Sequence, residues 1–184
     1  VLYRPPAPEV SEWQADDPQR EWQRLQAAIR AARREIQALG ARTAGRAGTS
    51  EAAIFDAHLL FLEDPVLIDS TRERISERRT NAEAAWQAVV DETMAGYHTL
   101  EDPLLRARAG DGADVRDRVL RQLMGIDPRP LELSEPAVLV VVDMPPSDTV
   151  QLDPDRVLGI CAARGGATSH SAILARALGI PAVV

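Results

Sequence analysis

Residues 137–142 read Ala-Val-Leu-Val-Val-Val, a continuous apolar run made largely of β-branched residues. Such a run is typical of a strand that is buried on both faces of a parallel sheet. A short helix is expected to start at residues 145–148, a second strand covers 157–162, a helix covers 169–178, and a third strand begins at 181–184. Strands that alternate with helices in this way predict an α/β domain.

The sequence up to Gly125 favours helices instead. Asp17-Pro18 is an N-cap followed by a first-turn proline, and apolar residues then recur at helical spacing until Gly40. Further helices are predicted to begin near residues 51, 65, 81 and 103. Within the last of these, Gly110-Asp-Gly112 predicts a kink or a short loop. Long helices with short connections are typical of an antiparallel bundle.

The composition narrows the class of protein. The chain has 184 residues and a net charge of -7, which argues against a nucleic-acid-binding protein. It has no apolar run long enough to span a membrane and no signal peptide, so the default expectation is a cytoplasmic location. All 21 basic residues are arginine, which excludes a Schiff-base or P-loop lysine. Cys161 is the single cysteine and is expected to be a small buried residue of the second strand.

The stretch Gly165-Gly-Ala-Thr-Ser-His170-Ser lies between the second strand and the helix that follows it. Its two glycines allow a tight turn and the close approach of a ligand to the backbone. Thr168 and Ser169 are good helix caps, so we expect His170 in the first helical turn, where unpaired N–H groups and the helix dipole favour an anion. Thr168 is also placed to accept a hydrogen bond from one ring nitrogen, which would leave the other nitrogen free as a nucleophile.

Other residues near His170 are candidates for stabilising a bound phosphate. Arg164 is a candidate counter-charge, with Ser169 and Gly166 as further contacts, whereas Arg176 lies nearly two turns further along the helix and on a different face. The sequence shows no metal-ligand spacing and no Gly-x-Ser-x-Gly motif, which argues against a zinc site and a serine hydrolase. From residue types alone, a capping or surface histidine remains the alternative interpretation of His170.

Residues 165–176 resemble the phosphohistidine signature of the phosphoenolpyruvate-utilising enzymes. That family includes Enzyme I of the sugar phosphotransferase system, pyruvate phosphate dikinase and phosphoenolpyruvate synthase. Residues 51–65, 113–123 and 139–159 are similar, in the same order, to the carrier-binding helices and the α/β core of Enzyme I. The resemblance is therefore to the amino-terminal region of Enzyme I or a close paralogue. One departure is Ala167, which stands where Enzyme I usually has arginine or lysine.

The resemblance implies an α/β phosphohistidine (swivelling) domain combined with an all-α helical-bundle subdomain that binds the carrier protein. Residues 1–15 would be an initial segment belonging to the α/β domain. Residues 16–127 would be the helical subdomain, and residues 128–184 the α/β domain, truncated on its C-terminal side. Because the sequence starts abruptly and stops inside an apolar run, we expect a piece of a longer protein.

The resemblance also implies a reaction. His170 would accept a phosphoryl group from phosphoenolpyruvate through Nε2 and pass it to a histidine of the small carrier protein HPr, with Thr168 orienting the ring. Phosphoenolpyruvate and magnesium would bind a separate carboxy-terminal domain, so this chain would hold no cofactor and would exchange phosphoryl groups only with phosphorylated HPr. Since dimerisation belongs to the same absent domain, a monomer is expected.

A docking surface for the carrier is expected on the second helix. Residues 51–69 contain five acids and no arginine. Their apolar side chains form two adjacent helical stripes, one made of Phe55, Leu59 and Leu62 and the other of Ile54, Ala57, His58 and Phe61. Either the helix is buried on two sides or one stripe meets a partner. The resemblance favours the partner and places the contacts on Ile54, His58 and Phe61, with Asp64 in the acidic margin and Arg116 from a later helix. An acidic margin suits a basic partner and salt-sensitive association.

Three alternatives stay open. The nearest is a paralogue, either a nitrogen-branch Enzyme I or the phosphotransfer subunit of dihydroxyacetone kinase. A swivelling domain of a dikinase or a synthase is the second, although the helical insert argues against it. The third is a non-enzymatic protein-binding module in which His170 carries no phosphoryl group.

Overall fold

The computed structural model describes residues 1–4, 8–98, 103–127, 131, 133–167 and 169–183, without the side chains of residues 98 and 103–110. Five helices come first in the chain: α1 (Pro18–Arg46), α2 (Thr49–Leu62), α3 (Pro65–Glu77), α4 (Ala82–His98) and α5 (Pro103–Met124). Alternating strands and helices follow: β1 (Ala137–Val141), α6 (Pro146–Thr149), β2 (Val157–Ala162), α7 (His170–Ala177) and β3 (Ala182–Val183). The predicted combination of a helical part and an α/β part is confirmed.

The chain divides into two compact units. One consists of Val1–Pro6, Ala38–Asp56 and Arg129–Val184, and the other of Ala7–Gln37 and Ala57–Pro128. The observed units and the expected boundaries differ in two places, because residues 38–56 group with the strands and residues 7–15 group with the helices.

Hydrogen bonds within each unit accompany both differences. At the end of α1, the Arg46 guanidinium donates to the carbonyl oxygens of Val150 and Leu152, at 3.2 and 3.4 Å, beside α6. Near the N-terminus, the Trp13 N–H donates to the Asn81 side-chain oxygen at 3.1 Å, and the Asn81 N–H donates back to the Trp13 carbonyl at 3.2 Å. The end of α1 thus bonds to the segment beside α6, and the segment around Trp13 bonds to the start of α4. The order of residues along the chain does not predict either contact.

In the helical unit, large apolar side chains form the core. Asp64 caps α3 through a 2.8 Å hydrogen bond from the Val66 N–H, and Pro65 occupies the first turn. The apolar stripes of the helices then meet in the interior, where the largest buried side chains are Leu25, Ile36, Leu67, Ile75, Trp86, Val90, Val115 and Leu120.

A buried polar network joins three of these helices. The Arg24 guanidinium of α1 donates to Glu21 at 2.7 Å, to Glu83 of α4, and to the Leu123 carbonyl of α5 at 3.3 Å. Glu21 also accepts the Ala82 N–H at 2.9 Å. Burial lowers the pKa of Arg24, but the hydrogen bonds and charges of Glu21 and Glu83 outweigh it and raise that pKa above its ordinary value.

Helix α5 contradicts one expectation. It runs without interruption through Gly110 and Gly112, so the predicted kink or loop is wrong. Gly112 is buried, and a Cβ atom at its position would lie 2.2 Å from the Met94 sulfur of α4. The glycine therefore allows α4 and α5 to pack closely and does not break α5.

In the other unit, three parallel strands form a sheet in the order β1-β2-β3. Leu139 of β1 is paired with Ile160 of β2, and Val140 is paired with Cys161, which in turn is paired with Val183 of β3. One face of the sheet packs into a core with residues of α7 and of the connecting segments: Leu139, Val141, Met144, Leu152, Val157, Ile160, Ala175 and Ile180.

The opposite face carries apolar side chains that are exposed. We call it the open sheet face, and it consists of Val138, Val140, Val142, Cys161 and Val183. The prediction of a β1 strand buried on both faces is therefore wrong, and so is the prediction of a buried Cys161. Helix α7 packs on the side of Leu139 and Val141, and alternate residues of a strand point to opposite faces.

None of the helices in the described ranges combines the length and the hydropathy that crossing a membrane requires.

Candidate functional site

The carboxyl ends of β1 and β2 are held together where the glycine-containing loop begins. The Ala163 N–H donates to the Val141 carbonyl at 3.0 Å, and the Arg164 N–H donates to the Val142 carbonyl at 2.9 Å. Gly165 then turns the chain with a φ of 106°, a conformation that favours glycine. Loops at the carboxyl ends of parallel strands are the usual location of ligand sites in α/β folds.

Ser169 starts α7, as the sequence predicts. Its hydroxyl oxygen accepts the Ala172 N–H at 3.3 Å, and its own N–H donates to the Gly166 carbonyl at 2.9 Å. His170 is the first residue of the helix and is exposed, so it lies in the first turn, the part of a helix that favours an anion. Thr168 lies outside the described residues, and its predicted hydrogen bond to the His170 ring stays a prediction.

Ser171 is a residue of this site that the sequence analysis did not single out. Its hydroxyl donates to the Met144 carbonyl oxygen, just beyond β1. Met144 is buried in the core of the α/β unit, and its N–H donates to the Asp143 carboxylate at 2.8 Å. The only available signal was the position of Ser171 next to His170 within the signature, because its hydrogen bond joins residues 27 positions apart.

The two candidate arginines do not line the same cavity. Arg164 is exposed and lines a small cavity of about 20 Å³ together with Asp143, Ser169 and Ser171. Arg176, also exposed, lines a separate depression of about 340 Å³ together with Ala167. Arg164 is thus the arginine that shares a cavity with the residues capping and anchoring α7.

Gly166, the glycine nearest the Ser169 cap, leaves its backbone accessible to a ligand. A Cβ atom at Gly166 would meet no atom within 4 Å, and its carbonyl already accepts the Ser169 N–H. The space beside Gly166 is therefore available to a group that approaches the loop.

Two of the predicted carrier contacts on α2 are buried. Ile54 is 7% exposed and His58 is 1% exposed, whereas Phe61 is half-buried. The His58 Nε2 lies 3.9 Å from an Asp111 carboxylate oxygen of α5. Since Phe55 of the other stripe is buried as well, the structure places both stripes of α2 largely in the interior.

The two charged residues predicted for docking already have partners within the chain. Asp64 caps α3, as described above. Arg116 donates to Asp91 at 2.5 Å and to Asp117 at 2.7 Å. Burial lowers the pKa of Arg116, but the hydrogen bonds and charges of Asp117 and Asp91 raise it above the ordinary value, so the guanidinium stays charged.

Two exposed apolar residues lie at the corner between α2 and α3, and sequence reasoning missed both. Leu60 is 70% exposed and Val66 is 68% exposed. Exposed acids lie close in sequence, namely Asp56, Glu63 and Asp69. We call Leu60 and Val66 the corner patch. Leu60 falls outside both apolar stripes of α2, a signal that the helical pattern already contained.

Comparison with protein families settles the relationship of the chain. Residues 1–108 match the amino-terminal family of phosphoenolpyruvate-utilising enzymes, and residues 133–184 match the mobile domain of the same enzymes. The chain belongs to the phosphoenolpyruvate-utilising enzymes. The matched mobile domain contains the whole of the His170 site.

Curated relatives in this family are about 40% identical to the chain over the aligned residues. The chain is 42% identical over 169 residues to the phosphoenolpyruvate-protein phosphotransferase of Listeria monocytogenes, covering 91% of the chain and 30% of the relative. It is 40% identical over 169 residues to the enzyme of the same name from Geobacillus stearothermophilus, covering 91% of the chain and 29% of the relative. The chain thus spans about 30% of the length of these relatives.

Solved structures of the family have the same fold. The solution structure of an Enzyme I protein (nEIt) matches with a TM-score of 0.78 and 31% identity, covering 99% of this chain and 75% of that one. The N-terminal domain of a nitrogen Enzyme 1 matches with a TM-score of 0.68 and 30% identity, covering 95% and 71%. The predicted resemblance to the amino-terminal region of Enzyme I is confirmed.

Proposed function

We propose that this chain is the phosphohistidine-carrying part of a phosphoenolpyruvate-protein phosphotransferase. His170 takes a phosphoryl group that originates from phosphoenolpyruvate and passes it to a histidine of an HPr-like carrier, as the first step of a sugar phosphotransferase system. The observation that carries the proposal is the exposed His170 at the start of α7, within the matched mobile domain.

The chemistry asks little of the protein beyond placement and charge stabilisation. The neutral imidazole attacks phosphorus with the lone pair of Nε2, and the P–O bond to the enol oxygen breaks as the P–N bond forms. The proton on Nδ1 stays in place, so no separate base is needed. The first-turn N–H groups of α7 and the Arg164 guanidinium are the groups of this chain that would face the transferred phosphate. Transfer to the carrier repeats the step, with the carrier histidine as the nucleophile.

The donor site belongs to another part of the enzyme in this proposal. The relatives are more than three times longer than the stretch matched here, which leaves room for a phosphoenolpyruvate- and magnesium-binding domain. We therefore expect the chain alone to exchange phosphoryl groups with phosphorylated HPr and to take none from phosphoenolpyruvate.

A labelling experiment tests this proposal. The 184-residue chain is incubated with radiolabelled phosphoenolpyruvate alone and, separately, with radiolabelled phospho-HPr from Listeria monocytogenes. We expect acid-labile, base-stable label on His170 from phospho-HPr only. The His170→Ala variant should take no label, and a matched His98→Gln variant should label like the wild type. Label in His170→Ala would contradict the site, and label from phosphoenolpyruvate alone would contradict the separate donor domain.

The corner patch supports an acidic and apolar docking surface for the carrier. Leu60 and Val66 are exposed, and Asp56 and Asp69 add exposed negative charge nearby in sequence. These residues suit a partner with a basic and apolar surface. Ile54 and His58 are buried, so in this proposal they support α2 from inside and the corner patch makes the contact.

A nitrogen-branch phosphotransferase is the second candidate, because a nitrogen Enzyme 1 domain also matches the chain. Its carrier would be a different HPr-like protein, so the labelling experiment with each phosphorylated carrier separates the two. An enzyme of the dihydroxyacetone-kinase branch would exchange phosphoryl groups more slowly with either of these two carriers than with the carrier of its own branch.

The proposal also includes a cytoplasmic location and a monomeric state of the chain. Sedimentation of the isolated chain tests the monomeric state.

A further inference from the structure

Ser171 bonds α7 directly to the end of β1. Its hydroxyl donates to the Met144 carbonyl, and Met144 is itself fixed by burial in the core and by the hydrogen bond of its N–H to Asp143. The hydroxyl proton is therefore committed to a backbone carbonyl. Ser171 does not offer that proton to a phosphate.

His170 lies between two anchored serines. On one side, Ser169 caps the helix by accepting the Ala172 N–H and bonds back to Gly166. On the other side, Ser171 ties the same turn to Met144. The cap fixes where the helix begins, and the Ser171 hydrogen bond fixes how its first turn lies on the sheet.

We propose that Ser171 is a positioning residue, which holds the first turn of α7 against β1 so that the His170 imidazole meets the phosphorus atom in line. This inference rests on the proposed phosphoryl transfer. An error of about 1 Å in the position of a reacting group can lower a rate about a hundredfold. Loss of one neutral hydrogen bond lowers the folding stability only modestly. We therefore expect the variant to stay folded while its rate of phosphoryl transfer falls.

The test compares three variants of the 184-residue chain. Ser171→Ala removes the hydroxyl, Ser171→Thr keeps it, and Ser76→Ala removes a hydroxyl that donates to the Arg72 carbonyl at 2.8 Å at an exposed position of α3. For each variant, exchange with labelled phospho-HPr gives a maximal rate and a half-saturating carrier concentration. Residual dipolar couplings of backbone amides give the orientation of α7 relative to β1 without any phosphoryl transfer.

We expect Ser171→Ala to lower the maximal rate about tenfold to a hundredfold with an unchanged half-saturating concentration, and to reorient α7. Ser171→Thr and Ser76→Ala should stay close to the wild type in both measurements. A Ser171→Ala variant that keeps its rate, or a Ser171→Thr variant as slow as it, would overturn the inference. If the wild type itself takes no phosphoryl group, the proposed function fails. The couplings then decide separately whether Ser171 orients α7, and an unchanged orientation in Ser171→Ala overturns that too.

Discussion

Arg24 shows how one side chain can hold several helices of the bundle. Its guanidinium satisfies Glu21 and Glu83, which are almost fully buried, and reaches the Leu123 carbonyl at the end of α5. Buried carboxylates are tolerated only when they are paired and hydrogen-bonded. Arg24 is thus needed less for its own contribution to stability than for the two charges it neutralises.

Replacing Arg24 by methionine should therefore destabilise the chain by about 2–3 kcal/mol. Breaking a fully buried ion pair costs about 3–5 kcal/mol, and the Arg24 side chain is 34% exposed, so solvent screening reduces the effect. The free energy of unfolding in urea gives the measurement. Arg30→Met, at an exposed position of the same helix, is the matched control and should change it by less than about 0.5 kcal/mol. If both substitutions change the free energy of unfolding equally, the hydrogen bonds of Arg24 to Glu21 and Glu83 do not stabilise the fold.

At the scale of elements, the packing of α4 against α5 depends on a residue without a side chain. Gly112 is buried where the Met94 sulfur passes close to its backbone. Glycine is a poor helix former, costing about 1 kcal/mol relative to alanine in a helix interior. Its presence in the middle of α5 is explained by the close approach of the two helices, which alanine would obstruct.

Gly112→Ala should destabilise the protein by about 1–3 kcal/mol, because the added methyl group overpacks the contact with Met94. In a Met94→Ala background, the same substitution should become neutral or stabilise by up to about 1 kcal/mol, since only the gain in helix propensity remains. Gly96→Ala is the control, because a Cβ atom at Gly96 of α4 meets nothing within 4 Å. It should be neutral or stabilising, and urea unfolding of the wild type and the four variants gives the free energies. An equally destabilising Gly112→Ala in both backgrounds would refute the packing explanation.

At the scale of the whole molecule, the proposed reaction needs a docking surface as well as a nucleophile. The net charge is -7, and exposed acids accompany the corner patch. Complementary charge mainly accelerates encounter, whereas apolar contacts mainly set the lifetime of a complex. The two contributions should therefore respond differently to salt and to substitution.

Leu60→Arg should raise the half-saturating concentration of phospho-HPr about tenfold, because it removes an apolar contact and places a positive charge against a basic partner. Leu60→Met is the matched control and should stay within about twofold. Raising the ionic strength from about 0.05 to 0.5 M should weaken exchange in the wild type by screening the acids. Initial rates of exchange at varied carrier concentration provide both measurements. An unaffected Leu60→Arg variant would place the docking surface elsewhere.

The helices, the strands and the start of α7 were predictable because caps, glycines and apolar spacing act within a few residues. The exposure of Val140 and Cys161 was not, because the 137–142 and 157–162 runs consist of apolar residues and one glycine and give no polar alternation to read. The burial of His58 depends on α5, about fifty positions away in the chain. Gly112 was misjudged because glycine in a helix indicates either a break or a close contact, and only the neighbouring helix decides which.

The open sheet face provides a single site for chemical labelling. Cys161 is the one thiol in the sequence, and it is exposed between Val140 and Val183. A maleimide fluorophore therefore attaches at a single known point without any engineered cysteine. If another polypeptide covers these valines, the dye moves from water into an apolar environment. The shift of its emission wavelength then reports the binding as it occurs.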